Sequence, residues 1–202
     1  YFFHDNKKNM NLKNRYLILR HGQTIYQTKK KKMIYPPFPE NSCVHLTQKG
    51  KAEIKKTAKK LKKEKIDLIF SSDFFRTKET AKIVAKELGK KVIFDKRLRD
   101  VNLGIYQGKD KSLYYKDFPR GSPKMFFQRP EGGESWLDCQ KRMLNFLKEI
   151  DKKYKGKKIL IVSHGDPLWL LEGAVKKWPI EKMLRIKKTR RTIKNGEVRR
   201  LN

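Results

Sequence analysis

The sequence predicts an α/β protein, a three-layer sandwich with a mostly parallel sheet, helices on both faces and a small lid insertion. Short apolar runs typical of buried strands alternate with longer amphipathic stretches typical of helices. This alternation favours β-α-β units, whose strands are parallel and whose helices cover the two faces of the sheet. At 202 residues, the chain has the length of one domain with a modest insertion.

The first half of the chain holds the first strands and helices of this pattern. Three apolar runs are predicted strands, at residues 16–19, 66–70 and 92–94. Thr47 is the predicted N-cap of a helix whose apolar side chains recur every three or four residues. Asp73 is the predicted N-cap of the next helix, which we expect to end at Gly89.

The segment at about residues 105–133 is the predicted lid. It is rich in Gly, Pro, aromatic and charged residues, it has no clear period, and it is too long for an ordinary connection. Periodicity returns in a helix that starts near Trp136, which is followed by a strand at 159–162 and by a helix with Pro167 in its first turn. These segments complete the predicted alternation of strands and helices.

The predicted domain covers residues 15–202. Residues 1–14 are expected to be an N-terminal extension that is either not native or disordered, and Met10 is a candidate start because the chain opens without Met. The first residues lack the basic and long apolar segments of a secretory signal. Near the other end, Asn195-Gly196 is typical of a type I′ turn and predicts a basic C-terminal hairpin over about residues 183–202.

The composition is strongly basic, with 52 Lys and Arg against 21 Asp and Glu and a formal charge of +31. Such a charge points to a polyanion, to phosphorylated ligands or to a compositional bias. Because 39 Lys are spread over every segment against 13 Arg, we favour a bias with incidental adsorption to nucleic acid. The apolar runs are too short to cross a membrane, and two cysteines, Cys43 and Cys139, without a C-x-x-C pattern, predict a cytoplasmic setting.

Arg and His side chains follow three of the predicted strands at the point where each strand ends. Arg20 and His21 come directly after the first strand, Arg76 lies one turn into the helix after the second, and His164 follows the last. Because the carboxyl ends of parallel strands meet at one edge of a sheet, we expect these side chains to lie together. Arginine binds phosphate through paired donors, and histidine acts near pH 7 as a nucleophile or proton donor. The sequence therefore predicts a phosphoryl site.

Six short motifs around these residues occur in a fixed order along the chain. They are LRHGQT at 19–24, LTQKG at 46–50, SSDFFRTKETA at 71–81, LRDVNLG at 98–104, GGES at 132–135 and VSHG at 162–165. In these motifs the chain resembles the histidine phosphatase superfamily, also called the phosphoglycerate mutase-like family, over most of its length. The resemblance implies the α/β fold predicted above and phosphoryl transfer without a metal ion or another cofactor.

The resemblance also implies roles for the residues at the strand ends. His21 would be the nucleophile that forms a phosphohistidine, while Arg20, Arg76 and His164 hold the phosphoryl oxygens. The attacking nitrogen of His21 must be unprotonated, so its other nitrogen should donate to an acceptor. The sequence does not identify that acceptor.

Four further residues are candidates for binding the phosphate or the rest of the substrate. Thr24 lies in the first motif, and Gln27 stands where the family commonly has Asn, so both are predicted to bind phosphate. Lys109 and Lys111 of the lid are predicted to bind a second phosphate or a carboxylate of the substrate. The alternative for both lysines is a generally basic surface.

Asp100 is the candidate general acid that protonates the leaving oxygen, at a position where the family usually has Glu. Aspartate is one methylene shorter but can perform the same chemistry. The alternative is that Asp100 pairs with Arg97 or Arg99. Glu134 is the other carboxylate available, although a capping or backbone-binding role fits it better.

The predicted activity is that of a histidine acid phosphatase-type phosphomonoesterase, acting on a small phosphorylated molecule or a phosphoprotein. Phosphoglycerate mutase-type phosphoryl transfer is the alternative. It is disfavoured because Asp100 is followed by VNLG, where the cofactor-dependent mutases have RHYG. A basic nucleic-acid-binding protein on the same fold is a second alternative, for which only the charge argues.

Overall fold

The computed structural model of the protein describes residues 10–28 and 32–202. Five strands form one sheet in this part of the chain: β1 (Arg15–Arg20), β2 (Leu68–Ser71), β3 (Val92–Phe94), β4 (Lys158–Ser163) and β5 (Val198–Arg200). Their order in the sheet is β3-β2-β4-β1-β5. All neighbouring pairs are parallel except β5, which is antiparallel to β1. The predicted α/β fold with a mostly parallel sheet is confirmed.

Helices cover both faces of this sheet. Within the described residues they are α1 (Gln48–Leu61), α2 (Phe75–Leu88), α3 (Lys111–Asp117), α4 (Lys124–Phe127), α5 (Trp136–Lys153), α6 (Gly165–Val175) and α7 (Ile180–Lys188). Leu17 and Leu19 of β1 pack in the apolar cluster that includes α1 and α2. Tyr16 and Ile18 pack in the cluster that includes α5 and α6. Since successive side chains of a strand point to opposite faces, the three predicted layers are present.

The predicted N-cap of α1 is correct and that of α2 is wrong. Thr47 accepts a hydrogen bond from the N–H of Gly50 at 3.0 Å. The N-cap of α2 is Phe74, which makes no side-chain cap, because the Asp73 carboxylate instead accepts two hydrogen bonds from Arg99, at 2.7 and 2.6 Å. Such paired, charge-assisted bonds are stronger than a single cap bond, so they determine where the carboxylate lies.

The predicted lid contains α3 and α4 and packs on the segment that follows β1. The N–H of Ile34 donates to the carbonyl of Lys109 at 2.8 Å. Within the lid, the rings of Tyr114 and Phe118 stack with centroids 5.1 Å apart, and both side chains are buried. The lid therefore has its own aromatic contacts and joins the main apolar cluster.

The predicted C-terminal hairpin over about residues 183–202 is wrong in its first half. Helix α7 occupies part of that range, and its Met183 is buried in the main apolar cluster. A turn at Asn195-Gly196 is present, but φ is positive only at Gly196, so it is not the predicted type I′ turn. The strand after it, β5, pairs with β1 rather than with residues before the turn. A turn signal specifies only that the chain reverses. Which segments then pair or pack together is decided by the burial of the apolar helix face and of the edge strand.

Residues 10–14, predicted to be part of an extension, pack on the domain. Asn14 is buried, and its side-chain amide donates to Asp151 Oδ1 at 2.9 Å. The packed chain therefore includes residues before Arg15, while residues 1–9 lie outside the described part. Within residues 10–28 and 32–202, no helix is both long enough and apolar enough to cross a membrane.

Candidate active site

Strands β1 and β4 end side by side and bring two histidines together. Arg20 lies opposite Ser163 in the parallel register, and the N–H of His21 donates to the carbonyl of Ser163 at 3.0 Å. His164 follows β4 directly, and its ring centroid lies 5.2 Å from that of His21. Both rings are buried. The two predicted histidines therefore share one site at the carboxyl edge of the sheet.

A backbone carbonyl sets the tautomer of His21. Its Nδ1 lies 2.7 Å from the carbonyl oxygen of Gly22, and because a carbonyl only accepts, Nδ1 carries the proton. Nε2 then carries a free lone pair that can attack an electrophile such as phosphorus. Burial, together with the positive charges of Arg76 and Arg20, lowers the pKa of His21 well below its usual value of 6.5. The Gly22 carbonyl is thus the acceptor that the sequence left unidentified.

The His21 loop, residues 20–22, is held from two sides. The N–H of Gly22 donates to Thr80 Oγ1 at 3.1 Å, and a Cβ at this glycine would lie 2.9 Å from the carbonyl oxygen of Gly50. From the C-terminal turn, Asn195 Nδ2 donates to the two loop carbonyls of residues 21 and 22, at 3.1 and 3.4 Å. The sequence pattern at Asn195 predicts only a turn, so this contact with the loop is an additional role.

Arg76 is fully buried at the start of α2 and is held by three residues. Its Nη1 donates to the carbonyl and to Oδ1 of Asn41, at 3.0 and 2.7 Å. Its Nη2 donates to Asp100 Oδ2 at 3.2 Å, and its guanidinium carbon lies 4.1 Å from the centroid of the Tyr35 ring. Asn41 and Tyr35 were not predicted, because they lie in the irregular segment between β1 and α1, where no periodicity indicates which side chains turn inward.

Arg20 and His164 are each oriented by one further contact. Arg20 Nη1 donates to the carbonyl of Ile193 at 3.0 Å. His164 Nε2 lies 3.0 Å from Ser72 Oγ, a residue of the third motif for which no role was predicted. Burial and the charge of Arg76 lower the pKa of His164 well below 6.5, so this ring too is neutral.

Three buried nitrogens of the site have no hydrogen-bond partner within the described chain. They are Arg20 Nε, Arg76 Nε and His164 Nδ1. Buried polar nitrogens without a partner are costly, and a native structure normally satisfies them. The two arginine nitrogens are N–H donors, and His164 Nδ1 is a donor in the tautomer in which Nε2 accepts from Ser72. A phosphoryl group offers several charged acceptor oxygens, and it would satisfy such donors well. The structure therefore gathers donor groups of the kind that the predicted phosphoryl site requires.

Asp100 lies at this site and not in a separate surface ion pair. Its Oδ2 is 3.6 Å from Nδ1 of His164 as well as 3.2 Å from Arg76, and its side chain is 21% exposed. The alternative partners, Arg97 and Arg99, pair with other carboxylates. Burial raises the pKa of Asp100 above 3.8 although Arg76 opposes the shift. A carboxyl group with a raised pKa can deliver a proton to a leaving oxygen.

Glu134 holds the backbone next to Asp100. Its Oε1 accepts from the N–H of Asn102 at 3.0 Å, and its carboxylate accepts from Arg142 at 2.6 and 3.0 Å. Arg142 in turn donates to three carbonyls between residues 97 and 100, at 2.7, 2.8 and 3.0 Å. These are the backbone-binding contacts that the sequence favours for Glu134, and they occupy the carboxylate.

Thr24 and Gln27 bond to each other in the turn after the His21 loop. The Thr24 hydroxyl donates to Gln27 Oε1 at 2.8 Å, and it also lies 3.0 Å from the hydroxyl of Tyr35. Thr24 is fully buried. Direct contact of either residue with phosphate stays a prediction, since their polar groups already have these partners.

A cavity of about 640 Å³ opens between the lid and the C-terminal segment. Arg20 and Asp100 line it, as do Gln27 and Lys111. Lys109 is exposed and does not line this cavity. Of the two lysines predicted to bind the substrate, the structure therefore brings only Lys111 to the site. Over the described residues, no group of His, Cys, Asp and Glu side chains is arranged to hold a metal ion.

Residues 16–200 match the model of the histidine phosphatase superfamily (branch 1), and the chain belongs to this superfamily. Phosphoglycerate mutase-like protein 4 of Arabidopsis thaliana is 34% identical over 160 residues, which are 74% of this chain and 65% of that relative. The chain thus spans less than two thirds of that protein. The probable phosphoglycerate mutase GpmB of Escherichia fergusonii is 28% identical over 84% of this chain and 79% of its own.

A solved structure with a similar fold is that of the mycobacterial glucosyl-3-phosphoglycerate phosphatase. It has a TM-score of 0.75 and 25% sequence identity, and the match covers 91% of this chain and 88% of that one. The relatives thus include a protein named as a phosphatase and proteins named as mutases. Family membership alone does not distinguish these two activities.

Proposed function

We propose that the protein hydrolyses phosphomonoesters through a phosphohistidine on His21, without a metal ion. The observation that carries this proposal is the hydrogen bond from His21 Nδ1 to a carbonyl, which leaves Nε2 as a neutral nucleophile beside buried nitrogens of Arg20, Arg76 and His164 that have no partner in the described chain. The arginine N–H groups, together with His164 in the tautomer that is protonated at Nδ1, would bind the oxygens of the transferred group and stabilise the charge that develops in the transition state.

In the first step, Nε2 of His21 attacks phosphorus in line with the leaving oxygen. The P–N bond forms, the bond from phosphorus to the leaving oxygen breaks, and Asp100 gives its proton to that oxygen. In the second step, a water molecule gives a proton to the Asp100 carboxylate and attacks phosphorus. The P–N bond breaks, inorganic phosphate leaves, and both side chains return to their starting states.

Phosphoglycerate mutase-type transfer is the second candidate, since the 34% identical relative is named phosphoglycerate mutase-like and the 28% identical one a probable phosphoglycerate mutase. Both reactions use the same phosphohistidine, but a mutase returns the phosphoryl group to the molecule it came from, whereas a phosphatase admits water. The residues after Asp100 depart from the pattern of the cofactor-dependent mutases. This departure favours hydrolysis.

We further propose a small phosphorylated molecule or a phosphoprotein as the substrate. The charge of +31 would add only weak, salt-sensitive adsorption to nucleic acid, because the lysines are spread over the whole chain. A cytoplasmic location remains our proposal from the low cysteine content.

The test is turnover of p-nitrophenyl phosphate in EDTA by three proteins: the wild type, His21→Ala and the control His45→Ala. His45 is an exposed histidine outside the site, with a side chain that is 58% exposed. We expect the wild type and the control to turn over alike and His21→Ala to lose a factor on the order of 10³ or more. Radiolabelled substrate should leave an acid-labile, base-stable adduct on the wild type and on His45→Ala but not on His21→Ala. Equal turnover by His21→Ala would refute the proposal, and conversion of 3-phosphoglycerate to 2-phosphoglycerate would favour the mutase.

A further inference from the structure

A second carboxylate, that of Asp166, lines the cavity together with Asp100. Asp166 lies in the first turn of α6, two residues after His164, whose Nδ1 is 3.6 Å from Asp100 Oδ2. The Asp166 side chain is 31% exposed, so its charge is only partly screened by solvent. The proposed reaction uses Asp100 and His164 but gives Asp166 no part.

A buried lysine holds the Asp166 carboxylate from outside the cavity. Lys187 of α7 is buried, it does not line the cavity, and its ammonium group pairs with Asp166 Oδ1. The same ammonium group lies 5.0 Å from the centroid of the Trp136 ring and 5.5 Å from that of the Trp169 ring. Burial and contact with two aromatic rings restrict the position of the lysine, so Lys187 also restricts the carboxylate with which it pairs.

The charges around Asp100 oppose one another. Its cationic and neutral neighbours are Arg20 of β1, Arg76 of α2, Cys139 and Arg142 of α5 and His164 after β4, and an anionic neighbour is Asp166. The lid and the C-terminal segment add Lys111, Tyr114, Tyr115, Arg120, Arg190 and Lys194 to the cavity wall. Burial raises the pKa of Asp100, Arg76 opposes this shift, and the charge of Asp166 adds to it. The arginines thus favour the carboxylate form of Asp100, whereas burial and Asp166 favour the acid that the reaction needs.

We infer that Asp166 is a positioning residue for the general acid: its carboxylate, held by Lys187, keeps the proton on Asp100 until that proton passes to the leaving oxygen. The inference rests on the proposed function, in which Asp100 acts as the acid, and it adds a residue that the reaction steps do not use. Like charges repel, so a carboxylate near Asp100 is unfavourable only after Asp100 has lost its proton. Lys187 offsets part of the Asp166 charge, and the two residues together therefore set the strength of the acid.

The pH dependence of kcat/KM with glycerol 2-phosphate tests the inference, because the alkoxide leaving group of this substrate needs a proton. After correction for the ionisation of the substrate, the decline of kcat/KM at high pH measures the loss of the proton from Asp100. Asp166→Asn keeps an acceptor for Lys187 but removes the charge. We expect this variant to lower the midpoint of the decline by about half a pH unit or more. Asp166→Glu keeps the charge and should keep the midpoint near that of the wild type.

Lys187→Met changes the other member of the pair and should have the opposite effect. Methionine is unbranched and packs well against aromatic rings, but it leaves the Asp166 carboxylate without its counter-charge. We expect the midpoint to rise by about half a pH unit. The double variant Asp166→Asn/Lys187→Met lacks both charges, and its midpoint should lie between those of the two single variants. A purely structural role of the pair would not produce shifts of opposite sign.

Glu87→Gln is the matched control. Glu87 of α2 also pairs with a lysine, Lys62, at 2.7 Å, and it does not line the cavity. The control changes the net charge as Asp166→Asn does, and we expect it to leave the midpoint unchanged.

The inference is overturned if the midpoint does not move in Asp166→Asn and Lys187→Met, or if it moves in the same direction in both. An equal shift in Glu87→Gln would overturn it too, since the net charge would then explain the effect. Circular dichroism shows whether each variant folds. If Lys187→Met does not fold, equal midpoints of Asp166→Asn and Asp166→Glu still refute a role of the charge. Absent hydrolysis by the wild type would refute the proposed function and the inference with it, whereas hydrolysis with an unmoved midpoint refutes the inference alone.

Discussion

His21 donates its Nδ1 proton to the carbonyl of Gly22, with the two atoms 2.7 Å apart. The acceptor is therefore a backbone carbonyl in the same tight loop as His21, and not a carboxylate. A neutral acceptor leaves the ring neutral and fixes its orientation through the peptide plane. Any group that holds this peptide plane consequently influences the direction of Nε2.

Asn195 is the side chain that holds the carbonyls of this loop from the C-terminal turn. We predict that Asn195→Ala lowers kcat by about tenfold with little change in KM, because a misdirected nucleophile affects the reaction more than binding. Steady-state kinetics with p-nitrophenyl phosphate measure this. Thr57→Val is the control, since it removes a hydrogen bond to the carbonyl of Gly196 in the same turn. An equal loss in both variants would assign the effect to the turn and not to Asn195.

The pH dependence of kcat/KM should reflect the two shifted pKa values. The pKa of His21 lies well below 6.5, so the nucleophile stays neutral as the pH falls through 6.5. The pKa of Asp100 lies above 3.8, and the acid is lost as the pH rises through that raised value. After correction for the ionisation of the substrate, we expect kcat/KM to decline toward high pH as Asp100 loses its proton. We expect no decline of kcat/KM near pH 6, because His21 is not protonated there. An acidic limb centred at or above pH 6.5 would contradict this assignment.

The role of Asp100 as general acid predicts a dependence on the leaving group. Asp100→Asn should lower kcat/KM by about 100-fold for an alkyl phosphate and by less than about tenfold for p-nitrophenyl phosphate, whose leaving group needs little protonation. Glu134→Gln serves as the comparison, because its carboxylate binds backbone and Arg142. Glu134→Gln should change kcat/KM for both substrates to the same extent. Equal effects of Asp100→Asn on both substrates would remove Asp100 from this role.

The sequence predicted the parts of the site that depend on strand order. Apolar runs locate β1, β2 and β4, and the residues directly after them include Arg20, His21 and His164. Parallel strands place these ends at one edge whatever the loops do, so the two histidines were expected to meet. Their ring centroids are indeed 5.2 Å apart.

Residues that reach the site from irregular segments could not be predicted in this way. Asn41 contacts Arg76, and Asn195 contacts the His21 loop, across long separations in sequence, and no periodicity marks either residue. Helix α7 was missed for a different reason. Its apolar residues Ile180, Met183 and Leu184 do recur at helical spacing, but the turn signal at Asn195-Gly196 was given more weight than this period.

Arg142 should be an important stabilising residue next to the site. It donates to three backbone carbonyls between residues 97 and 100 and pairs with Glu134, so its removal leaves several partly buried acceptors and one carboxylate without a partner. We predict that Arg142→Ala lowers the free energy of unfolding by roughly 2–4 kcal/mol, the range expected when charge-assisted bonds in a partly buried site are lost.

The matched control is Arg129→Ala. This variant also removes an arginine that pairs with a carboxylate, that of Asp138, but the Arg129 side chain is 68% exposed. Solvent screens this pair, so we expect its loss to cost much less stability than the loss of Arg142. Urea denaturation followed by circular dichroism measures both values under the same conditions. The assignment fails if the two variants lose equal stability, because the carbonyl contacts of Arg142 would then contribute nothing beyond an ordinary surface ion pair.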